Sequence, residues 1–139
     1  MKHTTTAKAV RAGLLAAAAL LLAGATPAQA TPGESVPANW LYLTVTKGES
    51  RSAAGRGTLL LCRPPSGHPR AAEACAQVAA VDGDLGGLQA RTVFCPMIYE
   101  PVTVQARGKW NGQRVAYTET FSNACEMEAR TGAVFALDG

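Results

Sequence analysis

Apolar and polar positions first alternate in "WLYLTVT" (40–46), an aromatic and β-branched run with the period of a strand. That period puts Leu41, Leu43 and Val45 on one face and Trp40, Tyr42, Thr44 and Thr46 on the other. The polar connection "KGESRSAAGRG" leads to a second strand, "TLLLC" (58–62). "RPPSGHPR" (63–70), with three prolines and a glycine, is expected to be irregular. "AAEACAQVAAV" (71–81) is alanine-rich and predicts a helix that "DGD" ends. "GDLGGLQA" (83–90) reads as a turn or helical fragment, and "TVFC" (92–95) leads into "CPMIYEP" (95–101). Two alternating runs, Val102, Val104, Ala106 and Val115, Tyr117, Glu119, flank Asn111-Gly112, a strong hairpin-turn signal. "SNACEMEAR" (122–130) predicts a short helix with Ser122 or Asn123 as its cap and acids in its first turns, and "AVFAL" (133–137) a closing strand. The sum is an α+β domain of about five strands, mostly antiparallel, with two short helices.

The N-terminus follows a different logic. Lys2, Lys8 and Arg11 precede "AGLLAAAALLLAGA", an apolar run of 14 residues that is short for a membrane span. "AQA" at 28–30 has the small-x-small pattern of a signal-peptidase site. Residues 1–30 are therefore expected to be a removed signal peptide, 31–39 a proline- and glycine-bearing lead-in, and 40–139 the folded domain of a secreted, extracellular protein. This changes the meaning of the charge. All 10 acidic residues follow residue 30, as do 10 of the 13 basic ones, so the exported part is formally neutral and the sequence pI of 8.8 belongs largely to the leader. No basic footprint for nucleic acid remains, and no basic amphipathic helix suggests a membrane surface after the leader is removed.

Cys62, Cys75, Cys95 and Cys125 all lie in the exported part, where two disulfides are the expectation. Four cysteines allow three pairings, and the sequence does not choose among them. Pairing neighbours would close loops of 13 and 30 residue steps. The spacings contain no C-x-x-C pair and fit no zinc ribbon, so no metal is expected, and no other cofactor. Enzyme chemistry finds no foothold. His68, the one histidine after the leader, lies between Gly67 and Pro69 and reads as a solvated loop residue rather than a catalytic base. Asp82 with Asp84, and Glu126 with Glu128, read as helix-end and solubility residues.

The stretch "CPMIYEP" joins three bulky apolar side chains to two prolines. Pro96 and Pro101 remove backbone donors and fix φ, and they bias Cys95 and Glu100 towards extended geometry. The result is an extended, stiff segment unfit for a central strand. Met97, Ile98 and Tyr99 either fill the core or are displayed. Displayed, they would have the conformation in which proteases bind substrates, with the ordering cost of binding already reduced.

"CPMIYEPVTV" and "GKWNGQRVAYTETFSNACEME" resemble the Streptomyces-type subtilisin inhibitors, and "LYLTVTKGES", "TLLLC", "HPRAAEACAQVAAVDGDLGGL" and "AVFAL" extend the similarity over nearly all of the exported chain. The resemblance implies a five-stranded antiparallel sheet with two helices, disulfides between cysteines adjacent in sequence, and a homodimer formed through the sheets. It also implies inhibition of subtilisin-like, and by extension chymotrypsin-like, serine proteases, with Met97–Ile98 as the reactive bond. Phe94, Cys95 and Pro96 would contact the protease on one side and Tyr99 and Glu100 on the other. Asn123, beside Cys125, is the candidate to support the loop from beneath. Ile98 and Glu100 stand where family members often carry valine and aspartate, and the 47–57 connection is shorter than usual. Trp40, Tyr42 and Thr44, with Trp110 from the hairpin, are the expected dimer surface. The competing reading is a non-inhibitory extracellular module or transglutaminase substrate, with Gln77, Gln89, Gln105 and Gln113 available.

Overall fold

The computed structural model describes residue 24 and residues 38–49 and 55–138, and the elements below all lie within the unit Ser35–Gly139. The expected signal peptide, most of the lead-in and part of the 47–57 connection lie outside the described residues. The sheet is built from β1 (Trp40–Lys47), β2 (Gly55–Cys62), β3 (Pro65–Ser66), β4 (Val102–Trp110) and β5 (Gln113–Phe121), in the order β3-β2-β1-β4-β5 with every pairing antiparallel. Helix α1 (Ala71–Ala80) follows β3, and α2 (Ala124–Thr131) follows β5. A single 3-10 turn, Leu85–Gly87, lies in the long connection from α1 to β4.

The alternation in β1 sets the layers. Leu41 lies opposite Leu60 and Gly108, and Leu43 opposite Ala106, so these residues share one face. Leu41, Leu43, Leu60, Val104 and Ala106 are fully buried there, with Val78 of α1 and Met127 of α2 in the same apolar cluster. Burial of each of these leucine, valine and methionine side chains contributes roughly 1.5–3 kcal/mol. The hairpin turns at Asn111 and Gly112, both at positive φ (47° and 80°), the pair of conformations that a type I′ turn demands. Asp82 and Gly83, also at positive φ, end the α1 region. A side chain at Gly83 would meet the Trp110 Cβ at 2.7 Å, so this turn is packed against the indole as well as bent.

The strand count agrees with expectation, but its membership does not. Residues 133–137 form turns instead of a strand, closed by local bonds such as Ala136 N–H to the Ala133 carbonyl (3.1 Å). Ala133, Val134 and Phe135 are buried one after another, as consecutive turns filling the core rather than as one face of a sheet. The remaining strand comes from the proline-rich stretch, where Pro65 and Ser66 pair with Cys62 and Leu61. Proline is tolerated because β3 is an edge strand and has no outer ladder to donate to.

Trp110 also departs from expectation. Register places Lys109 opposite Trp40, so Trp110 points to the other face and is only 4% exposed. It belongs to the core and not to the outer surface with Trp40, Tyr42 and Thr44.

His68 is buried, not solvated. Its Nε2–H donates to the Val134 carbonyl (3.1 Å), and its Nδ1 accepts from the Arg70 backbone N–H (2.9 Å). Those two bonds need the neutral ring protonated at Nε2, because a proton on Nδ1 would face another donor. Burial accordingly lowers its pKa below the usual histidine value of 6.5, with the Val134 bond opposing and the Arg70 charge assisting. The unfolded chain thus binds the proton more readily than the fold does. Stability is expected to be complete above pH ~6.5 and to fall as pH drops below it. Equilibrium denaturation between neutral and mildly acid pH checks this. His68→Gln should flatten that part of the curve, and an unchanged curve would remove the histidine from the account.

Candidate functional site

Residues 88–101 form no regular structure; Leu88 packs against the core, but from residue 89 to residue 100 every side chain except the half-buried Cys95 is exposed. Met97 is wholly exposed, Phe94 is 98% exposed, and Ile98 and Tyr99 are more than half exposed. Of the two readings of this stretch, core filling is therefore excluded. Large apolar side chains gathered on one loop and left in water mark an interaction site.

The loop is exposed but not loose. The Cys95–Cys125 disulfide ties it to α2, and Cys62–Cys75 ties β2 to α1. These are the pairings of cysteines adjacent in sequence, and both sulfurs of each pair are consumed, so no thiolate chemistry is available. Asn123 does two jobs with one side chain. Its Oδ1 accepts from the Glu126 backbone N–H (3.0 Å), which caps α2. Its Nδ2 donates to the carbonyls of Pro96 (3.2 Å) and Ile98 (3.0 Å). The cap and the loop brace are thus opposite ends of a single amide, held in a buried position between α2 and the loop.

Backbone bonds close the two ends of the segment. Arg91 N–H donates to the Ala129 carbonyl (2.8 Å), and Glu100 N–H to the Ser122 carbonyl (2.9 Å). Between them, residues 92–99 make no backbone–backbone hydrogen bond to another described residue. Their unclaimed backbone groups can pair with an incoming strand. On the exit side, Gly48 N–H donates to the Pro101 carbonyl (2.6 Å), and the Tyr99 hydroxyl donates to the Glu49 carboxylate. That carboxylate raises the Tyr99 pKa, because it holds the phenol proton and its charge opposes a phenolate.

The structure brings Phe94, Cys95, Pro96, Met97, Ile98, Tyr99 and Glu100 onto one braced loop with Asn123 beneath it. Glu49 and Ser122 were missed as loop contacts. Glu49 lies 50 residues from Tyr99, and no spacing signal links them. Among the described residues no cluster of three or more His, Cys, Asp or Glu side chains could hold a metal ion. A cavity of about 510 Å³, lined by Val45, Met127, Phe135 and Leu137 with Lys47, Glu128 and Asp138, includes no residue of the loop and no histidine, serine or cysteine. Of the glutamines considered for cross-linking, Gln77 is engaged, its Oε1 accepting from the Ala133 N–H (2.8 Å).

A model of the subtilisin inhibitor-like family matches residues 37–123. A putative serine protease inhibitor of Streptomyces avermitilis is 53% identical over 134 residues, covering 96% of this chain and 90% of that protein. A subtilisin inhibitor of Streptomyces albogriseolus is 47% identical over 119 residues, covering 79% and 83%. Among solved structures, Streptomyces caespitosus sermetstatin, in complex with Bacillus licheniformis subtilisin, superposes with a TM-score of 0.59 at 37% identity, covering 70% of this chain and 96% of that one.

Proposed function

The chain belongs to the subtilisin inhibitor-like family, and from that premise we propose that it is a secreted inhibitor of subtilisin-like serine proteases whose reactive bond is Met97–Ile98. It is an inhibitor and not an enzyme. The observation that carries the reactive-site assignment is a wholly exposed Met97 on a loop braced by Cys95–Cys125 and Asn123.

The mechanism follows from that geometry. The protease meets a segment already extended, so little conformational entropy is lost on binding. Met97, unbranched and polarisable, enters the primary pocket, which in subtilisin-like and chymotrypsin-like enzymes is apolar. Phe94, three residues earlier, reaches a further apolar pocket. Asn123 bonds the carbonyls on either side of Met97, which in an extended backbone turns the Met97 carbonyl away from it and towards the attacking serine. If the bond is cut, both new ends stay braced, and religation competes with release.

A homodimer through the outer sheet face is part of the same proposal. Tyr42 and Leu59 are 50% and 42% exposed on that face, next to Trp40, whose indole N–H is buried without a partner. Such a patch in a monomer would be an aggregation liability. Export is supported by the leader's pattern, and among the described residues no helix is long and apolar enough to cross a membrane.

Active-site titration of purified 31–139 tests the function. Subtilisin is expected to be silenced at about one chain per enzyme and chymotrypsin to be inhibited. Trypsin should be inhibited poorly, because Met97 leaves its pocket carboxylate unpaired. Light scattering on the same sample is expected to give twice the chain mass. Full subtilisin activity at excess protein would favour the non-inhibitory module.

A further inference from the structure

The disulfide, Asn123 and Ser122 all hold the loop from α2 and its cap. The leaving-group side has another bracket, from the end of β1. Gly48 donates its N–H to the Pro101 carbonyl (2.6 Å), and its own carbonyl accepts from the Thr103 hydroxyl (2.8 Å). Both backbone polar groups of Gly48 are therefore engaged by residues at the loop's exit. This fixes the start of the next residue, Glu49, whose carboxylate accepts from the Tyr99 hydroxyl. Tyr99 is 68% exposed, so packing does little to restrain its ring, and the bond to Glu49 is what ties it to the frame.

We propose that Glu49 is a positioning residue for inhibition, holding the leaving side of the Met97–Ile98 bond in register through Tyr99. The proposal rests on the reactive-loop reading above. When the protease serine attacks, the Met97 C–Ile98 N bond breaks. Met97 becomes an acyl ester on the serine oxygen, and Ile98 departs as a free amine carrying the proton the serine gave up. The reverse step needs that amine to return to the ester, reform the peptide bond and hand the proton back. Water otherwise hydrolyses the ester to a Met97 carboxylate. The acyl side is held covalently, both by the ester and through Cys95. The amine side has only non-covalent holds: Asn123 on the Ile98 carbonyl, Ser122 on the Glu100 N–H, Gly48 on the Pro101 carbonyl, and Glu49 on the Tyr99 side chain. Of these four, Gly48 and Glu49 come from outside the α2 region, and Glu49 is the one of the two that acts through its side chain and reaches a residue next to Ile98. It acts on the partition between religation and hydrolysis, not on the first encounter.

The test compares the wild-type protein with Glu49→Ala, Glu49→Gln, Tyr99→Phe and the Glu49→Ala/Tyr99→Phe double variant. The readout is the ratio of cleaved to intact inhibitor after long incubation with subtilisin, with thermal midpoints recorded without protease. Glu49→Ala and Tyr99→Phe are each expected to raise the ratio about threefold to fivefold, the scale of an exposed charged contact. Glu49→Gln, which keeps an acceptor oxygen, should fall between. The double variant should be no worse than either single one, because both remove one contact. Glu49→Ala should also return the Tyr99 phenol titration, read as a difference spectrum against Tyr99→Phe, towards the ordinary tyrosine value. Additive effects, or a ratio unmoved by Glu49→Ala at unchanged thermal midpoint, would overturn the proposal. The two readings fail differently. A wild-type protein that does not inhibit subtilisin removes the reactive loop and the Glu49 role together, whereas inhibition indifferent to residue 49 removes only the latter.

Discussion

Met97→Asp is expected to abolish subtilisin inhibition while leaving the fold intact. Met97 touches nothing that stabilises the protein, since its side chain stands wholly in water. Its replacement therefore costs nothing on folding, and thermal stability should be unchanged. The cost falls on the complex. A methionine thioether filling an apolar pocket is a central anchor, and truncating such an anchor costs about 2–4 kcal/mol. Aspartate adds the burial of an unpaired carboxylate in the same pocket, a further loss of several kcal/mol. A combined loss of about 5 kcal/mol corresponds to more than a thousandfold in the inhibition constant. Met97→Lys supplies the complementary result. A lysine ammonium matches the carboxylate of a trypsin-like pocket, so trypsin should become a target while subtilisin inhibition weakens. Residual-activity titrations against both enzymes check the pair. Undiminished subtilisin inhibition by Met97→Asp would place the reactive bond elsewhere.

What could be read in advance divides along physical lines. Local signals translated well: the alternation of 40–46 became β1, the alanine-rich run became α1, and Asn111-Gly112 became the hairpin turn at positive φ. Each depends on residues close in sequence. The misses depend on partners far away. Trp110 was put on the outer face because its side follows from the register of β4 against β1, where Lys109, not Trp110, lies opposite Trp40. Residues 133–137 looked like a strand because every side chain is apolar, but burial on all sides can be reached by turns as well as by a central strand. The proline-rich stretch hid β3 because an edge strand tolerates what an inner one cannot. His68 looked solvated because its burying partner, Val134, lies 66 residues on. The loop itself was legible because its stiffness is written in its own prolines and cysteine. Its exposure was not, since apolar composition taken alone points inward.

Removing the Cys95–Cys125 disulfide should convert the inhibitor into a substrate. In the Cys95→Ser/Cys125→Ser variant the sheet, α1 and the Cys62–Cys75 bond are untouched, so the fold is expected to persist. The bond closes a loop of 30 residue steps, which chain entropy values at about 3–4 kcal/mol, so the thermal midpoint should fall markedly. Inhibition should suffer in a different way. Cys95 is the only covalent tie between the reactive segment and the element beneath it, and Asn123 reaches the loop from two residues before Cys125. Without the tie, the segment can leave the Asn123 amide, and the entropy saved in the free inhibitor must be spent on binding. Association should weaken, and after cleavage the new ends should separate before religation. The expected record is therefore a short lag in substrate turnover, recovery of full protease activity, and fragments ending at Met97 and beginning at Ile98. Circular dichroism on the same sample separates this outcome from unfolding, which would yield cleavage at many bonds instead of one. Stable inhibition by a verified double-serine variant, with the 97–98 bond intact at the end, would show that non-covalent braces suffice and that the disulfide serves stability alone.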